Sequence, residues 1–385
     1  MKYEIANRIA SMSTSIFATM GKMAIEHQAV NLGQGFPDFD GPSWLMDEAY
    51  GAMKSGKNQY APSPGILSLR KQIAEVQNKY YGMDYDSETE ITITAGATEA
   101  LFAAIHAFIN PGDEVILFEP FYDAYQADVI HAGGVPKYIT LQKPDFSFDI
   151  EEIKKAISSK TKMMILNSPH NPTGKVFTND ELTSIAGLAI EHDFLILSDE
   201  AYEFLTYDNA KHIPIATLPD MKKRTITVNS TGKTFGMTGW KIGYATATQQ
   251  ITNAIRKVHQ WTTFAVNTPM QHAMAHGFKV LDDYLPEFRN LYQAKRDKAL
   301  ELLSNTNFYP HIPLGSYFIM VDIPSGKFND DVDAATRLVR EFGVATIPPS
   351  VFYSRSDEGK TMLRLCFAKS DETLESGIKI LENIV

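Results

Sequence analysis

The sequence has one cysteine, Cys366, among 385 residues, so no disulfide can form within the chain. A lone cysteine is typical of a protein in a reducing compartment, and we expect the protein to be cytoplasmic. No apolar run approaches the ~20 residues that a membrane-spanning helix needs. The first residues also lack the long apolar stretch of a signal peptide, so no membrane association is predicted.

Positive charge is scarce as well. The chain carries 36 lysines and arginines against 46 acidic residues, which gives a formal net charge of −10. No basic stripe runs along it, and a nucleic-acid partner is therefore not predicted. There is no internal repeat and no low-complexity segment, and no metal site is predicted.

Short apolar strands are the main pattern that the chain does show. Between about residues 90 and 250 they alternate with helices, which predicts an α/β domain with a mostly parallel sheet. A chain of this length exceeds the ~250–300 residues at which single cores stop growing, so a second, smaller α+β domain is expected. The predicted strands are 90–94, 114–118, 162–166, 194–197, 225–228 and 244–248 in the first domain, and 317–322, 344–347 and 362–367 in the second.

Polar side chains repeatedly follow the carboxyl ends of the predicted strands. Ligands of open α/β sheets bind at this edge. Random loops would not readily supply an amide, a carboxylate, a phenol and a lysine at successive strand ends. The residues are Asn167 and Asn171, Asp199 and Tyr202, and Ser230 and Lys233.

Lys233 lies in a glycine-rich loop just past a β-branched strand. Such a lysine is a candidate nucleophile that forms a Schiff base with a carbonyl compound. The alternative is an ordinary solvated lysine, since most lysines are exposed. The polar groups at the neighbouring strand ends favour the nucleophile.

Residues 90–108 read as a strand, a turn of small residues and a helix. The backbone N–H groups of Ala97 and Thr98 would then point at an anion such as phosphate. Alternatively, Thr98 is only the N-cap of the helix. The glycines of Gly33-x-Gly35 do not form a dinucleotide-binding fingerprint, because the third glycine is missing.

Arg364 interrupts an otherwise apolar strand. A buried arginine needs an anionic partner. That partner is either an acidic residue of the chain or a substrate carboxylate held by two parallel hydrogen bonds. The aromatic Tyr122, just past another strand end, either packs the domain or stacks on a planar ligand.

Together, these motifs resemble the class I/II aminotransferases, which are pyridoxal 5'-phosphate enzymes of fold type I. The resemblance covers nearly the whole chain, and its motifs follow the family order. They are Asn171-Pro-Thr-Gly174, Ser198-Asp-Glu-Ala-Tyr202, Ser230-Thr-Gly-Lys233, Thr238-Gly-Trp-Lys241-Ile-Gly243 and Leu363-Arg-Leu365.

Within this family, the chain is most similar to the methionine aminotransferases and to the kynurenine aminotransferase/glutamine transaminase K group. We place the methionine type first. The segments that indicate this branch are 31–39, 58–60, 94–101, 168–174 and 258–260.

The resemblance implies a large cofactor-binding domain, residues 41–282, with a mostly parallel seven-stranded sheet between helices. Residues 1–40 and 283–385 would form an N-terminal arm and a small α+β domain. The implied reaction moves the amino group of an L-amino acid to a 2-oxo acid by a ping-pong mechanism. Methionine and aromatic donors are expected, with glutamine-like donors as further candidates. The family's shared active sites imply a homodimer.

The resemblance also assigns roles around the cofactor ring. Lys233 matches the lysine that attaches the cofactor and later moves protons. Asp199 matches the carboxylate that keeps the ring nitrogen protonated. Tyr202 and Asn171 match the groups that contact the ring oxygen, and Tyr122 matches the stacked aromatic.

Further residues match the phosphate site of the family. The helix start at Gly96, Ala97 and Thr98 supplies backbone donors, and Ser230 and Lys241 add side chains. Many subgroups have arginine in place of Lys241, so here the charge is kept and the bidentate fork is lost.

The remaining roles concern the substrate and the second subunit. Arg364 matches the receptor of the substrate α-carboxylate, with Asn167 and Asn171 adding amides and Gly35 lining the carboxylate end. Tyr60 matches a tyrosine that reaches the cofactor phosphate of the neighbouring subunit.

Two other functions stay open at this point. Kynurenine transamination or β-elimination on cysteine conjugates would use the same scaffold and the same first steps. A non-catalytic regulatory domain that binds the cofactor is a more remote alternative. Such regulators usually carry a fused helix-turn-helix, and this chain has no basic segment.

Overall fold

The computed structural model describes residues 3–10 and 14–384, in which strands and helices alternate as expected. The strands are β1 (Val30–Asn31), β2 (Ile91–Ala95), β3 (Glu114–Glu119), β4 (Val135–Thr140), β5 (Thr161–Asn167), β6 (Leu195–Asp199), β7 (Thr225–Ser230), β8 (Ile242–Thr246), β9 (Tyr309–His311), β10 (Phe318–Asp322), β11 (Val344–Ala345) and β12 (Met362–Cys366).

The helices lie mainly between these strands. They are α1 (Asn7–Ala10), α2 (Ile16–Glu26), α3 (Ser43–Lys54), α4 (Leu67–Tyr81), α5 (Gly96–Phe108), α6 (Asp123–His131), α7 (Ile150–Ala156), α8 (Asn179–Glu191), α9 (Thr231–Thr234), α10 (Gln249–Thr262), α11 (Thr268–Lys279), α12 (Leu281–Leu303), α13 (Asp331–Arg337) and α14 (Asp371–Glu382). Short 3₁₀ helices are Ile215–Thr217, Lys222–Arg224, Thr238–Trp240, Pro349–Phe352 and Glu358–Thr361. The segment Leu338–Phe342 is a π-helical turn.

Seven strands form one large sheet in the order β2-β8-β7-β6-β5-β3-β4. Strand β8 runs in the direction opposite to the other six strands of this sheet. The interior strands are buried on both faces, and this is why they read as nearly continuous apolar runs in the sequence. The predicted seven-stranded, mostly parallel sheet is confirmed.

The sequence prediction missed β4, which pairs with β3 at one edge of the sheet. This strand begins with an exposed valine, Val135, followed by Pro136 and Lys137. Proline cannot donate to a β-ladder and is confined to positions such as edge strands. The same residues that suit β4 to an edge therefore hide it from a search for apolar runs.

The smaller domain contains two further sheets. Strands β12, β10 and β9 form an antiparallel sheet, and β1 pairs with β11 in parallel. Because β1 comes from the N-terminal segment, that segment belongs to the small domain in space. β11 is shorter than predicted, since beyond it only Ile347 forms an isolated bridge, to Arg364.

We propose the domain boundaries 41–282 for the large domain and 1–40 with 283–385 for the small one. The seven-stranded sheet lies wholly within the first range, and both smaller sheets lie within the second. Residues 1, 2, 11–13 and 385 of these ranges lie outside the described residues.

Helix α12 links the two domains. It is 23 residues long and buries one face, with Leu285, Phe288 and Tyr292 at helical spacing. It begins at Leu281 and ends at Leu303. Neither α12 nor any other helix in the described part of the chain is long and apolar enough to cross a bilayer.

Candidate active site

The register of the central strands places the predicted polar residues side by side. Asn167 at the end of β5 pairs with Asp199 at the end of β6, and Ser230 ends the adjacent strand β7. These carboxyl ends border a cavity of about 310 Å³. The predicted site residues that line it are Gly35, Gly96, Ala97, Thr98, Tyr122, Asn167, Asn171, Asp199, Tyr202, Ser230, Lys233, Lys241 and Arg364.

Asp199 is the buried carboxylate of this cavity. One oxygen accepts a hydrogen bond from the Tyr125 hydroxyl at 2.7 Å, and the other accepts from the Ala201 N–H at 3.1 Å. Burial raises the pKa of Asp199 to about 6. At neutral pH most Asp199 side chains are therefore still ionised.

Lys233 lies in the short helix α9, directly after β7. Its amine donates hydrogen bonds to the Tyr317 hydroxyl at 2.7 Å and to the Gly35 carbonyl at 3.3 Å. Tyr317 donates in turn to the same carbonyl at 2.6 Å. Burial lowers the pKa of Lys233 to about 8, so about a tenth of the molecules carry the neutral, nucleophilic amine at pH 7.

Two tyrosines and their neighbours form the aromatic part of the cavity. Burial raises the pKa of Tyr122 to about 12 and that of Tyr202 well above its ordinary value. Both phenols are consequently protonated at neutral pH. The ring of Tyr202 meets the ring of Tyr317 edge to face, with centroids 5.0 Å apart.

The start of α5 forms a concave surface of backbone donors. Its N-cap, Ala95, supplies no side-chain hydrogen bond, and the first N–H groups of a helix have no partner within it. A Cβ on Gly243 would lie 2.5 Å from the Gly96 carbonyl carbon and 2.6 Å from the Ala97 nitrogen. Glycine at position 243 therefore lets β8 approach the helix start this closely.

Lys241 completes this surface. Its amine donates to the Thr98 hydroxyl at 3.3 Å, and its backbone is left-handed, with φ of 53°. A non-glycine residue held in this conformation is strained and is often found at functional sites. With backbone donors, a cation, an aromatic ring, a carboxylate and an amine around one cavity, the residues present fit pyridoxal 5'-phosphate.

Arg364 enters the cavity from β12 of the small domain and is 1% exposed. One terminal nitrogen donates to the Asn171 amide oxygen and the other to the Gly33 carbonyl, both at 3.0 Å. Its Nε has no partner, and the guanidinium stacks 4.2 Å from the centre of the Phe318 ring. Among the described residues, no carboxylate lies within 4.0 Å of it, so the internal ion pair considered above is not formed there.

The side chain of Asn167 is engaged with the backbone. Its amide nitrogen donates to the Asp199 carbonyl, and its amide oxygen accepts from the Asn171 N–H, each at 2.8 Å. In this structure Asn167 thus fixes the loop that carries Asn171. Its predicted contact with substrate stays a prediction.

Tyr60 is the predicted site residue that does not line the cavity. Its side chain is 83% exposed and meets the ring of Phe264 edge to face at 5.4 Å. A role of Tyr60 in catalysis therefore depends on a second subunit.

Several aromatic residues that contact the charged groups of the site were not assigned to it from the sequence. Tyr125 is hydrogen-bonded to Asp199, and Tyr317 is hydrogen-bonded to Lys233. Phe17 and Phe318 flank the Arg364 guanidinium. Phe17, Tyr317 and Phe318 lie among apolar residues, where aromatic side chains usually pack a core, and Tyr125 lies in a mixed helix. No sequence signal distinguishes these rings from core residues before the small domain is docked.

Comparison with known proteins agrees with this geometry. The family "Aminotransferase class I and II" matches residues 27–381. Methionine aminotransferase of Escherichia coli is 39% identical over 378 residues, which is 98% of either chain. Kynurenine–oxoglutarate transaminase of Dictyostelium discoideum is 39% identical, over 97% of this chain and 94% of the relative.

Solved structures show the same similarity. An Escherichia coli protein with a methionine aminotransferase function superposes with a TM-score of 0.95 at 38% identity, covering 99% of this chain and 100% of the other. N-succinyldiaminopimelate aminotransferase from Mycobacterium tuberculosis gives a TM-score of 0.96 at 38% identity with the same coverage. The chain belongs to the class I and II aminotransferases and is a pyridoxal-phosphate-dependent enzyme of this family.

Proposed function

We propose that the protein transfers the amino group of an apolar or aromatic L-amino acid to a 2-oxo acid, with Lys233 and Arg364 as the two central groups. The observation that carries this proposal is the state of Arg364. It is a buried guanidinium with an unpartnered Nε and no carboxylate within 4.0 Å among the described residues, and it borders the same cavity as a lysine of lowered pKa. A substrate α-carboxylate supplies the missing negative charge.

Other residues of the cavity would bind the cofactor ring and move the proton. When bound, the cofactor supplies an electron sink for the bond broken at the substrate α-carbon. Asp199 would hold the proton on the ring nitrogen, and the protonated Tyr202 phenol and the Asn171 amide would bind the ring oxygen. Lys233, whose amine reaches across the cavity, would move the proton at the α-carbon.

The phosphate would lie at the start of α5. Gly96, Ala97 and Thr98 provide the helix N-terminus there, and Ser230 and Lys241 border the same part of the cavity. Helix N-termini bind phosphate because their free N–H groups and the helix dipole both favour negative charge.

The walls on the substrate side favour an apolar side chain. Phe17, Phe36 and Phe318 line the cavity near Arg364. Among the described residues around the cavity the cations are Lys233, Lys241 and Arg364, each of which already has a proposed role. No cation is left for a second carboxylate, so aspartate and glutamate fit less well than methionine or phenylalanine.

The names of the relatives support this range of donors without narrowing it to one. Relatives 38–39% identical to this chain are named for methionine, kynurenine and N-succinyldiaminopimelate. Methionine and kynurenine match the apolar walls, and N-succinyldiaminopimelate carries additional carboxylates that these walls do not accommodate. Kynurenine transamination is therefore the second candidate, with β-elimination on cysteine conjugates as a side reaction of the same scaffold.

We further propose a homodimer located in the cytoplasm. Tyr60 contacts Phe264, which lies three residues after Trp261, and all three rings are exposed, Trp261 to 87%. Large exposed aromatic side chains of this kind mark protein interfaces. A cytoplasmic location is supported by the single cysteine, which is buried and unpaired.

The first prediction concerns Lys233. Borohydride reduction of the protein with pyridoxal phosphate should place the adduct on Lys233, because its amine has a lowered pKa. Below pH 8 the rate of adduct formation by the cofactor-free protein should rise about tenfold per pH unit, and it should level off above, since only the neutral amine reacts. Peptide mass analysis locates the adduct, and an adduct on Lys241 contradicts the assignment.

The second prediction concerns Arg364→Lys. A point charge cannot replace the two parallel hydrogen bonds of a guanidinium, so kcat/KM should fall for every donor. The fall should correspond to a loss of about 2–4 kcal/mol of transition-state stabilisation. The loss should be equal for methionine and phenylalanine, since both carry the same α-carboxylate. Steady-state assays and melting temperatures on the same preparations measure both effects.

A matched control for Arg364 is Arg296→Lys. Arg296 is also buried, but it pairs with Asp208 and Asp297. This variant should lower the melting temperature and leave kcat/KM close to wild type. If Arg364→Lys behaves in the same way, Arg364 is a structural residue and the receptor role is rejected.

The third prediction concerns donor preference. Methionine, phenylalanine and kynurenine should exceed aspartate in kcat/KM by at least about a hundredfold, because the second carboxylate would be buried without a partner. Phe17→Ala should raise KM for the apolar donors. Equal activity with aspartate would show that a cation from outside this set reaches the side-chain pocket.

The fourth prediction concerns assembly. Sedimentation equilibrium should give twice the chain mass of 43.0 kDa. Phe264→Glu should shift the protein towards monomer, because it places a charge in the proposed apolar contact. Ile312→Glu, at a position 67% exposed in the small domain, is the control and should leave the dimer intact. A wild-type monomer would exclude shared active sites.

A further inference from the structure

A buried carboxylate lies at the start of α5, where the cofactor phosphate is proposed to bind. Glu99 is in the first turn of α5, and its side chain is 7% exposed. One of its oxygens accepts a hydrogen bond from the Ala95 N–H at 2.5 Å, directly before the helix begins. A negative charge here competes with phosphate for the positive end of the helix, and water does little to screen it.

His259 of α10 faces this carboxylate. Its Nδ1 lies 2.5 Å from the second oxygen of Glu99, and its side chain is fully buried. Its Nε2 lies 2.7 Å from the Ser63 carbonyl oxygen. Because a carbonyl oxygen only accepts, Nε2 carries a hydrogen.

One proton is shared between Nδ1 and Glu99. Its position determines whether the two groups are both charged or both neutral, but the net charge of the pair is the same. If it resides on Nδ1, the pair is an imidazolium and a carboxylate; if it resides on Glu99, both groups are neutral. Burial lowers the pKa of His259, the Glu99 carboxylate raises it, and the outcome is a raised pKa that favours the ionic form. In both forms the Glu99–His259 pair adds no net charge at the start of α5.

We propose that His259 is a positioning residue of the cofactor-phosphate site, which neutralises Glu99 so that the start of α5 accepts a phosphate dianion. The inference rests on the proposed placement of that phosphate at Gly96, Ala97 and Thr98. His259 touches neither the cavity nor the reacting atoms; it acts through Glu99. The bond to Ser63 fixes the ring orientation, so that Nδ1 faces the carboxylate.

The test compares two ligands that differ only in the phosphate. Cofactor-free protein is titrated with pyridoxal 5'-phosphate and with pyridoxal, and the two dissociation constants are measured. His259→Gln keeps an amide donor in reach of the Ser63 carbonyl and removes the charge beside Glu99. It should weaken pyridoxal phosphate binding by about tenfold or more and change pyridoxal binding by less than about twofold.

A double variant separates charge from packing. In Glu99→Gln/His259→Gln the carboxylate is gone as well, so most of the affinity for pyridoxal phosphate should return. Glu99→Gln alone should bind pyridoxal phosphate at least as tightly as wild type. The single Glu99 variant also decides the matter if His259→Gln does not fold, because a loss of affinity in it contradicts the proposal.

A second buried histidine–carboxylate pair is the control. In that pair His212 Nε2 lies 2.7 Å from Glu200, with side chains 3% and 1% exposed. His212→Gln should leave the ratio of the two dissociation constants unchanged, whatever it does to stability.

Besides a loss of affinity in Glu99→Gln, three results would overturn the inference. They are equal losses for both ligands in His259→Gln, no loss for either ligand, and a double variant no better than the single one. If wild-type protein binds the phosphate form no more tightly than pyridoxal, the proposed phosphate site itself fails. That outcome is distinct from the first three, because it concerns wild type alone.

Discussion

Parallel pairing of β5, β6 and β7 is the constraint on which the site depends. In a parallel sheet all carboxyl ends face the same edge, so residues far apart in sequence meet there. The register pairs Asn167 with Asp199 and Asp199 with Val228, which brings Ser230 and the turn to Lys233 beside them. A slip of one residue would turn each of these side chains to the opposite face of the sheet.

The small domain closes this edge from the other side. Arg364 and Tyr317 come from its antiparallel sheet or directly before it, and the loop around Gly35 comes from the N-terminal segment. That loop is held through its carbonyls, with Gly33 accepting from Arg364 and Gly35 accepting from Lys233 and Tyr317. The same cations that are proposed to bind substrate and cofactor therefore also hold the loop that covers them.

The sequence predicted most of the large domain because its signals are local. Buried parallel strands appear as short apolar runs, and the polar residues that follow them are visible without knowledge of tertiary contacts. β4 was missed because an edge strand with Pro136 lacks such a run. The N-terminal arm was placed with the small domain by resemblance, and only the pairing of β1 with β11 gives the physical reason.

The parts of the site that the sequence did not predict all depend on tertiary packing. The surroundings of Arg364 could be described only once β12, the loop at Gly33 and Phe318 were brought together. The roles of Tyr125 and Tyr317 as partners of Asp199 and Lys233 have the same cause. Tyr60 illustrates the limit of a single chain, because the role proposed for its exposed ring requires a second copy.

Burial gives the site its electrostatic character. It raises the pKa of Asp199 and lowers those of Lys233 and Arg364, and in each case it works against the charged form. A protein that only needed to be stable would pair these charges with one another, yet their hydrogen bonds within the described residues go to neutral groups. In the proposed function, a ring nitrogen would supply the opposite charge for Asp199 and a substrate carboxylate that for Arg364, while Lys233 would react as the neutral amine. The cost of keeping such charges buried is therefore recovered on binding, and this links the low dielectric of the cavity to its specificity for an anionic, aromatic cofactor and an α-amino acid.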